Sequence, residues 1–140
     1  MIAMRKPLLV LAASMLAVAA GSTASAQTCL KADDKVEAAV TGTLATVRFI
    51  HPGNGSRQTA YVINLPQPVC ADVTDIDDKV ERVNNIRRVQ LAGDFEGKPI
   101  KQLMGKRVVA RGTLFGQHTA YHIAPILVSL KSLEKYGGTK

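Results

Sequence analysis

The sequence predicts an all-β fold with one short helix. Three observations lead to this prediction. Runs rich in Val, Ile, Thr and Tyr are separated by breaks rich in Gly, Pro, Asn and Asp. Two of these runs contain an internal glycine, which is typical of strongly bent strands. Only one short segment combines a starting proline, a one-sided apolar pattern and a closing glycine, as a helix does.

The first 26 residues have the three parts of a secretory signal. Arg5 and Lys6 precede an apolar run over residues 8–20, and residues 24–26 form an Ala-Ser-Ala cleavage site. A membrane anchor is the alternative, but the run is short and rich in alanine for a spanning helix. We therefore expect cleavage near Ala26, export to the periplasm or the extracellular medium, and no transmembrane segment in the mature chain.

The mature chain would hold one modest domain. Removing 26 of the 140 residues leaves 114, which is too few for two domains with separate cores. Two of the 18 basic residues leave with the signal, so 16 basic against 11 acidic residues give a charge of +5. This balance suits an acidic partner, and it is equally typical of a solvated basic surface.

The chain has two cysteines, Cys29 and Cys70. Export would place them in an oxidising compartment, where a single disulfide is expected. Closing a loop of this length is expected to contribute about 3 to 5 kcal/mol. The alternative is a nucleophilic or metal-binding thiol, but the sequence has no CxxC motif, so we predict a structural disulfide.

The first half of the mature chain predicts two strands, at residues 36–50 and 59–65, joined by the turn-rich loop 51–58. In the first strand the apolar phase shifts after Gly42, which is typical of a bulge or a sharp bend. A strand bent in this way can belong to both halves of a small barrel. The region before it, residues 27–35, is expected to be an irregular lead-in.

Two prolines, Pro66 and Pro68, are expected to end the second strand. Residues 71–85 contain four closely spaced aspartates, but their spacing does not match a calcium-binding loop. We therefore predict a solvated connector over this segment.

The second half predicts three more strands and the helix. The third strand is residues 86–92, with Val89 and Leu91 on one face and Arg88 and Gln90 on the other. The helix is residues 99–104. The fourth strand is 107–115 with Gly112 inside it, and the fifth is 120–130 with Pro125 inside it. Residues 131–140 are expected to form a flexible tail.

This order, three strands, a short helix and two strands, is that of a five-stranded Greek-key barrel, the OB-fold. In such a barrel the first strand pairs with the fourth. We therefore predict one OB-like domain over residues 36–130. A small open sheet or sandwich is the competing prediction.

Three motifs in the C-terminal half, GKRVV (105–109), RGTLF (111–115) and HTAYH (118–122), carry a family resemblance. They resemble a family of small domains in secreted bacterial proteins, domain of unknown function four-four-three-one. Residues 42–44, 61–65 and 68–70 are also similar to it. The resemblance implies an OB-like fold and export, and it implies no activity.

The histidines suggest a metal site. His118 and His122 lie four residues apart, so alternation along a strand would place them on one face. With His51 they would offer three imidazole nitrogens to copper or zinc. Solvent-facing turn residues, or histidines that hold a hairpin by hydrogen bonds, are the alternative.

Basic residues suggest a second type of site. We expect a basic strip on the face opposite the core, with Tyr121 close by. Its residues are Arg88, Arg107, Arg111 and Lys131. Such a strip would suit an anionic envelope polymer or a lipid headgroup.

The sequence contains no catalytic constellation: no nucleophile elbow, no H-E-x-x-H motif and no phosphate loop. We therefore expect a non-enzymatic binding module without a cofactor, for an anionic envelope component or a small ligand. A copper- or zinc-handling protein is one alternative, and an envelope-stress or inhibitor-type protein that binds another protein is a second. We expect no nucleic-acid partner, because export removes the usual target and the mature chain has few aromatic residues for base stacking.

Overall fold

The computed structural model describes residues 29–137, so the predicted signal at residues 1–26 lies outside the described residues. The described chain is mostly β, with one short helix. Its elements are β1 (Leu30–Ala32), β2 (Glu37–Ile50), β3 (Arg57–Thr74), β4 (Val80–Ala92), α1 (Ile100–Leu103), β5 (Arg107–Gly116) and β6 (Ile126–Lys135). Over residues 29–137, no helix has the length and apolar character needed to cross a membrane.

The strand pairings form a closed ring. The sheet order is β1-β3-β2-β5-β6-β4, and an additional pairing joins β4 back to β3. All neighbours in the ring are antiparallel except β4 and β6, which are parallel. These are the pairings expected of an OB-like Greek key, including first strand with fourth, so the predicted fold class is confirmed.

The predicted bend in the first strand is confirmed at Gly42. Residues 37–43 of β2 pair with β5, and residues 43–50 pair with β3, so one strand serves both halves of the ring. A Cβ added at Gly42 would meet the carbonyl oxygen of Asn64 in β3. Because the backbones approach so closely, only glycine fits where β2 changes partners.

A short parallel strand replaces part of the predicted irregular lead-in. Cys29 and Cys70 form the predicted disulfide. The residues that follow them, Leu30 and Ala71, are paired directly in the β1–β3 ladder. The covalent link holds residues 30–32 beside β3, which explains why a three-residue strand forms there.

The second strand does not end at the prolines, as predicted, but continues to Thr74. The β3–β4 ladder passes from the pair Asn64–Arg88 to the pair Val69–Ile86, so residues 65–68 of β3 lie opposite a single residue of β4. A bulge of this kind needs no ladder donor from Pro66 or Pro68. The prolines therefore occupy the bulge and do not end the strand.

The predicted connector at residues 71–85 is wrong. It consists of the ends of β3 and β4 joined by a tight turn at residues 75–79. Its charges pair across the strands: Arg82 donates two hydrogen bonds to Asp72, which lies opposite it in the ladder. The hydrogen bond from Arg82 holds the pKa of the Asp72 carboxyl below its ordinary value.

The last strand lies further along the chain than predicted. It begins at Ile126, and Pro125 is the residue before it, whose carbonyl accepts the Gln117 amide. Residues 131–135, assigned to a tail by the sequence, continue this strand alongside β5. Proline lacks an amide hydrogen, so it fits before the ladder begins.

The core fills the inside of the ring. Val108, Leu114 and Val128 are fully buried, whereas Ile123 is half-buried in a loop. A Cβ at Gly112 would overlap the carbonyl oxygen of Ser129, at the place where the β5–β6 register shifts. The second glycine bend predicted from the sequence therefore also exists.

Candidate ligand-binding cleft

Two loops converge over one part of the ring. The β2–β3 loop (residues 51–56) and the β5–β6 loop (residues 117–125) meet through His51 and Tyr121, whose ring centroids are 4.4 Å apart. Beneath this contact lies a cleft of about 220 Å³, which we call the aromatic cleft. In OB barrels generally, these two loops and the adjoining strands carry the ligand.

The lining of the aromatic cleft consists of rings, amides and small apolar groups. Its ring-bearing members are Phe49, Tyr61, Phe95, Tyr121 and His122, and its amide members are Gln58 and Gln90. Tyr61 and Phe95 pack edge to face at 5.4 Å. Among the described residues that line it, none is Asp, Glu, Lys or Arg. The cleft therefore offers stacking and neutral hydrogen bonds in place of charge.

Gln90 holds the β5–β6 loop over the cleft. It is the buried polar residue of the described chain, 6% exposed. Its side-chain amide donates to the carbonyl of Tyr121 at 2.9 Å, and its side-chain oxygen accepts the amide of Ile123 at 2.7 Å. Gln90 shares a face of β4 with Arg88, as the alternation predicts, and it is buried there because the β5–β6 loop covers it.

His122 makes hydrogen bonds that hold the β5–β6 loop together. Its Nδ1 accepts the backbone amides of His118 at 3.1 Å and of Thr119 at 3.3 Å. Its carbonyl accepts the side-chain amide of Gln117 at 2.8 Å. Partial burial and the neighbouring His118 lower the pKa of His122, so its neutral form is favoured.

The three predicted metal ligands do not assemble into one site. The rings of His118 and His122 contact edge to face at 4.7 Å, but in a loop and not on one face of a strand. His51 packs on Tyr121, and its Nδ1 accepts the Gly53 amide. Within residues 29–137, no three His, Cys, Asp or Glu side chains are grouped to hold a metal ion. Metal binding by the His118–His122 pair stays a prediction.

Part of the predicted basic strip exists on the outward side of β5 and β6, which we call the outer face. There Arg111 lies 3.9 Å from Glu134, and Lys131 lies 3.0 Å from Glu37 of β2. The Arg107 guanidinium lies 4.0 Å above the centre of the Tyr136 ring. Each of these cations therefore already has a partner within the chain.

The other two members of the predicted strip lie elsewhere. Arg88 is half-buried on β4, opposite Asn64 of β3. Tyr121 lies in the loop above the aromatic cleft. The sequence does not say which strands are neighbours, so it could not place these side chains on one face.

A larger groove of about 790 Å³ adjoins the β5–β6 loop on the side of His118. It contains Asp33, Asp34, Asp75 and Asp78 together with apolar side chains such as Leu114 and Phe115. Two of its carboxylates are occupied by the backbone: Asp33 accepts the Lys35 amide, and Asp75 accepts the amides of Asp77 and Lys79. These bonds shape the local turns.

Sequence reasoning placed Tyr121 and His122 among the residues of interest, and both line the cleft. It missed Gln90, Gln58 and the grouping of Phe49, Tyr61 and Phe95. The available signal was the small set of aromatic residues, several of which fall next to predicted loops. These aromatic residues come together only because the strands close into a ring.

Comparisons with known proteins find similar solved structures and a family model that matches part of the chain. Among the curated proteins, none matches this chain. Among solved structures, the chain is similar to the Plasmodium falciparum SSB complex with ssDNA, with 16% identity, a TM-score of 0.31, and coverage of 70% of this chain and 90% of that one. Residues 88–134 match the family described as Domain of unknown function (DUF4431), which confirms over this segment the resemblance found in the sequence.

Proposed function

We propose that this chain is an exported, non-enzymatic binding module whose aromatic cleft takes an uncharged ring-shaped group, such as one sugar unit of a longer glycan. The observation that carries the proposal is the lining of the cleft: five rings and two amide side chains, with no formally charged group among the described residues except His122 when it is protonated.

Sugar rings combine apolar faces with hydroxyl groups. Aromatic side chains provide flat apolar surfaces, and amide side chains both donate and accept hydrogen bonds. The cleft volume of about 220 Å³ is below the range of about 300 Å³ and more that is usual for whole ligands. It therefore suits a single unit or the end of a polymer.

An anionic partner is supported less well. Phosphate and sulfate groups need cationic donors, and these would have to come from outside the cleft lining. On the outer face, Arg111 and Lys131 are next to carboxylates that offset their charge. A polyanion binding there would compete with Glu134 and Glu37.

Two further observations support the non-enzymatic and exported parts of the proposal. The Nδ1 lone pair of His122 is engaged by two backbone amides, so this nitrogen does not serve as a general base towards a bound group. The Cys29–Cys70 disulfide is of the kind that persists in oxidising compartments.

The experiment is a backbone NMR titration of residues 27–140 with the neutral trimer of N-acetylglucosamine. We expect shift changes at Tyr61, Gln90 and Tyr121, and an affinity that salt does not alter, because no ion pair forms. Tyr121→Ala should abolish the changes. Tyr136→Ala is the matched control, since Tyr136 is 48% exposed and Tyr121 is 49% exposed.

Heparin and oligothymidylate serve as the anionic arms of the same titration. Salt-sensitive changes centred on Arg111 and Lys131, with none at the cleft, would overturn the proposal in favour of an anionic partner. Changes at the cleft with oligothymidylate alone would assign the rings to nucleic-acid bases. No change with any of the three ligands would also count against a glycan-binding cleft.

A further inference from the structure

The larger groove beside the β5–β6 loop is separate from the aromatic cleft. Its volume is about 790 Å³, and within residues 29–137 the two share no lining residue. Its walls come mainly from the turn after β1, the turn between β3 and β4, and the end of β5. The proposed function makes no use of this surface.

Among the described strands, two edges that lack a ladder partner border the groove. The ladder between β2 and β5 ends at the pair Glu37–Thr113, whereas the ladder between β5 and β6 continues to Gly116. Residues 114–116 therefore have a paired strand along one edge only. The second edge belongs to β1, whose ladder is with β3. An open strand edge offers backbone amides and carbonyls to an extended chain, as in complexes formed by strand addition.

The groove also offers apolar contacts to such a chain. Val73 of β3 and Phe115 of β5 line it, and a Cβ added at Gly116 would lie 2.9 Å from the Val73 side chain, so β3 and β5 approach closely there. Ile76 lines the groove from the β3–β4 turn and is 100% exposed. A chain seated in the groove would remove this isoleucine from water, which favours binding.

The charges of the groove indicate which kind of chain fits. Residues 27–140 carry a formal charge of +5, yet the groove has four aspartates against one lysine and one histidine. These aspartates are Asp33, Asp34, Asp75 and Asp78. The ion pairs of the described chain use the carboxylates of Asp72, Glu134 and Glu37, and thus none of these four. A cationic chain would therefore displace no internal cation on binding here.

We propose that the groove is a docking site for a partner protein, which inserts an extended segment that carries lysine or arginine side chains. The backbone of this segment bonds to the open edge at residues 114–116. Its apolar side chains contact Val73 and Ile76, and its cations meet Asp34 and Asp78. A small polycation would match the charges, but it would use neither the strand edge nor the apolar surface. The proposal does not depend on the aromatic cleft or on its ligand.

The first experiment selects a phage-displayed library of random heptapeptides on immobilised residues 27–140, after depletion on the double variant Asp34→Asn and Asp78→Asn. The enriched peptides should alternate Lys or Arg with apolar residues, because successive side chains of a strand point to opposite faces. Enrichment of acidic peptides, of peptides without cations, or of no sequence would overturn the proposal.

The second experiment measures the affinity of a synthetic enriched peptide by fluorescence anisotropy. The Asp34→Asn and Asp78→Asn double variant should bind it about fivefold to tenfold more weakly, since each exposed ion pair contributes modestly. Asparagine tolerates the left-handed backbone of Asp78, so the turn should be retained. The matched control is Glu81→Gln with Glu96→Gln, which removes the same charge outside the groove and should leave the affinity unchanged. Equal losses in both double variants would refute direct contact with the groove carboxylates.

The apolar contact is tested by Ile76→Ser. This variant should bind the peptide about tenfold more weakly, because the exposed isoleucine no longer gains from burial. Ile50→Ser is the matched control, since Ile50 is 67% exposed and lies outside the groove. Tyr121→Ala should bind the peptide as the wild type does. A loss of affinity in Tyr121→Ala alone would place the peptide in the aromatic cleft and refute the docking site.

Two further probes test the kind of occupant. Spermine carries positive charge but has no peptide backbone. If spermine binds as tightly as the peptide and Ile76→Ser has no effect, the groove binds small polycations and the proposed protein partner is wrong. Methylation of alternate peptide nitrogens should weaken binding, and in the unmodified complex an amide within residues 114–116 should exchange more slowly. Equal affinity of the methylated peptide, with no added protection at these residues, would refute strand addition.

Discussion

The aromatic cleft and the outer face carry the two groups of side chains that a binding protein of this size would use. In the cleft, rings and amides from three strands and two loops face a common space without formal charge. On the outer face, Arg107, Arg111 and Lys131 are exposed but each contacts a ring or a carboxylate of the same chain. Each cation of the outer face therefore has a partner that an anionic ligand would have to displace, whereas the rings of the cleft contact one another and still border the open space.

The difference shows how a basic composition can mislead. Residues 27–140 carry a formal charge of +5, which draws attention to their cations. A cation that already has a partner gains less from an anionic ligand, because the ligand must replace that partner. Rings that face an open space have no such competitor.

The largest effect is expected from the Cys29→Ser and Cys70→Ser double variant. The disulfide closes a sequence separation of 41 residues, so its loss should lower the free energy of unfolding by about 4 kcal/mol. Urea unfolding followed by circular dichroism measures this change. Because neither cysteine lines the cleft, trimer binding should be retained in the folded fraction. Reduced wild-type protein is the control, and equal stability of the oxidised and reduced forms would contradict the prediction.

The next effect concerns the bend in β5. Gly112→Ala places a Cβ on the carbonyl oxygen of Ser129, which is backbone and cannot move aside cheaply. We expect a loss of about 3 kcal/mol by the same unfolding measurement, since overpacking of this kind commonly costs about 1 to 3 kcal/mol or more. Thr113→Ala, at the neighbouring half-buried position, is the control. A Gly112→Ala protein as stable as that control would show that the close approach is not required.

These two features were also the ones that the sequence predicted best. Glycine inside a β-branched run, and two cysteines in a chain that is expected to be exported, are local signals whose physical meaning does not depend on distant residues. By contrast, Pro66 and Pro68 end a strand only if the ladder needs their amides, and that depends on a bulge opposite β4. Gln90 is buried by a loop about 30 residues further along the chain.

The candidate sites follow the same rule: contacts between residues close in sequence are predictable, and contacts between distant residues are not. His118 and His122 are close in sequence, so their contact was predictable, whereas the direction of their lone pairs was not. Lys131 and Glu37 are 94 residues apart, and their pairing follows from the ring closure. Sequence patterns thus predict where a glycine bends a strand, but they do not predict which surface charges meet.

A smaller effect, confined to the cleft, is expected from Gln90→Leu. The substitution keeps the volume but leaves the Tyr121 carbonyl and the Ile123 amide without their partner. The cost should be about 2 kcal/mol of stability, because unpaired buried polar groups cost about 1 to 3 kcal/mol. The Gln90→Leu variant should also lose binding of the N-acetylglucosamine trimer. Gln90→Glu tests the two hydrogen bonds separately. Its carboxylate still accepts the amide of Ile123 but cannot donate to the carbonyl of Tyr121. If Gln90→Glu lowers stability as much as Gln90→Leu, the hydrogen bond donated to Tyr121 accounts for the whole effect.

The smallest effect is expected on the outer face. Lys131→Gln removes the contact with Glu37, but the side chains of both residues are at least half exposed, at 71% and 50%. Ion pairs at such positions contribute about 0 to 1 kcal/mol, so the unfolding midpoint should change little. Binding of the neutral trimer should not change at all.

Glu37→Gln is the informative partner variant, because it leaves Lys131 without its carboxylate. If carboxylates mask the cations of the outer face, heparin should bind this variant more tightly than it binds the wild type. If heparin binds the wild type strongly and Glu37→Gln equally well, the internal partners do not compete with an anionic ligand. The contrast between the two regions would then no longer favour the cleft as the binding site.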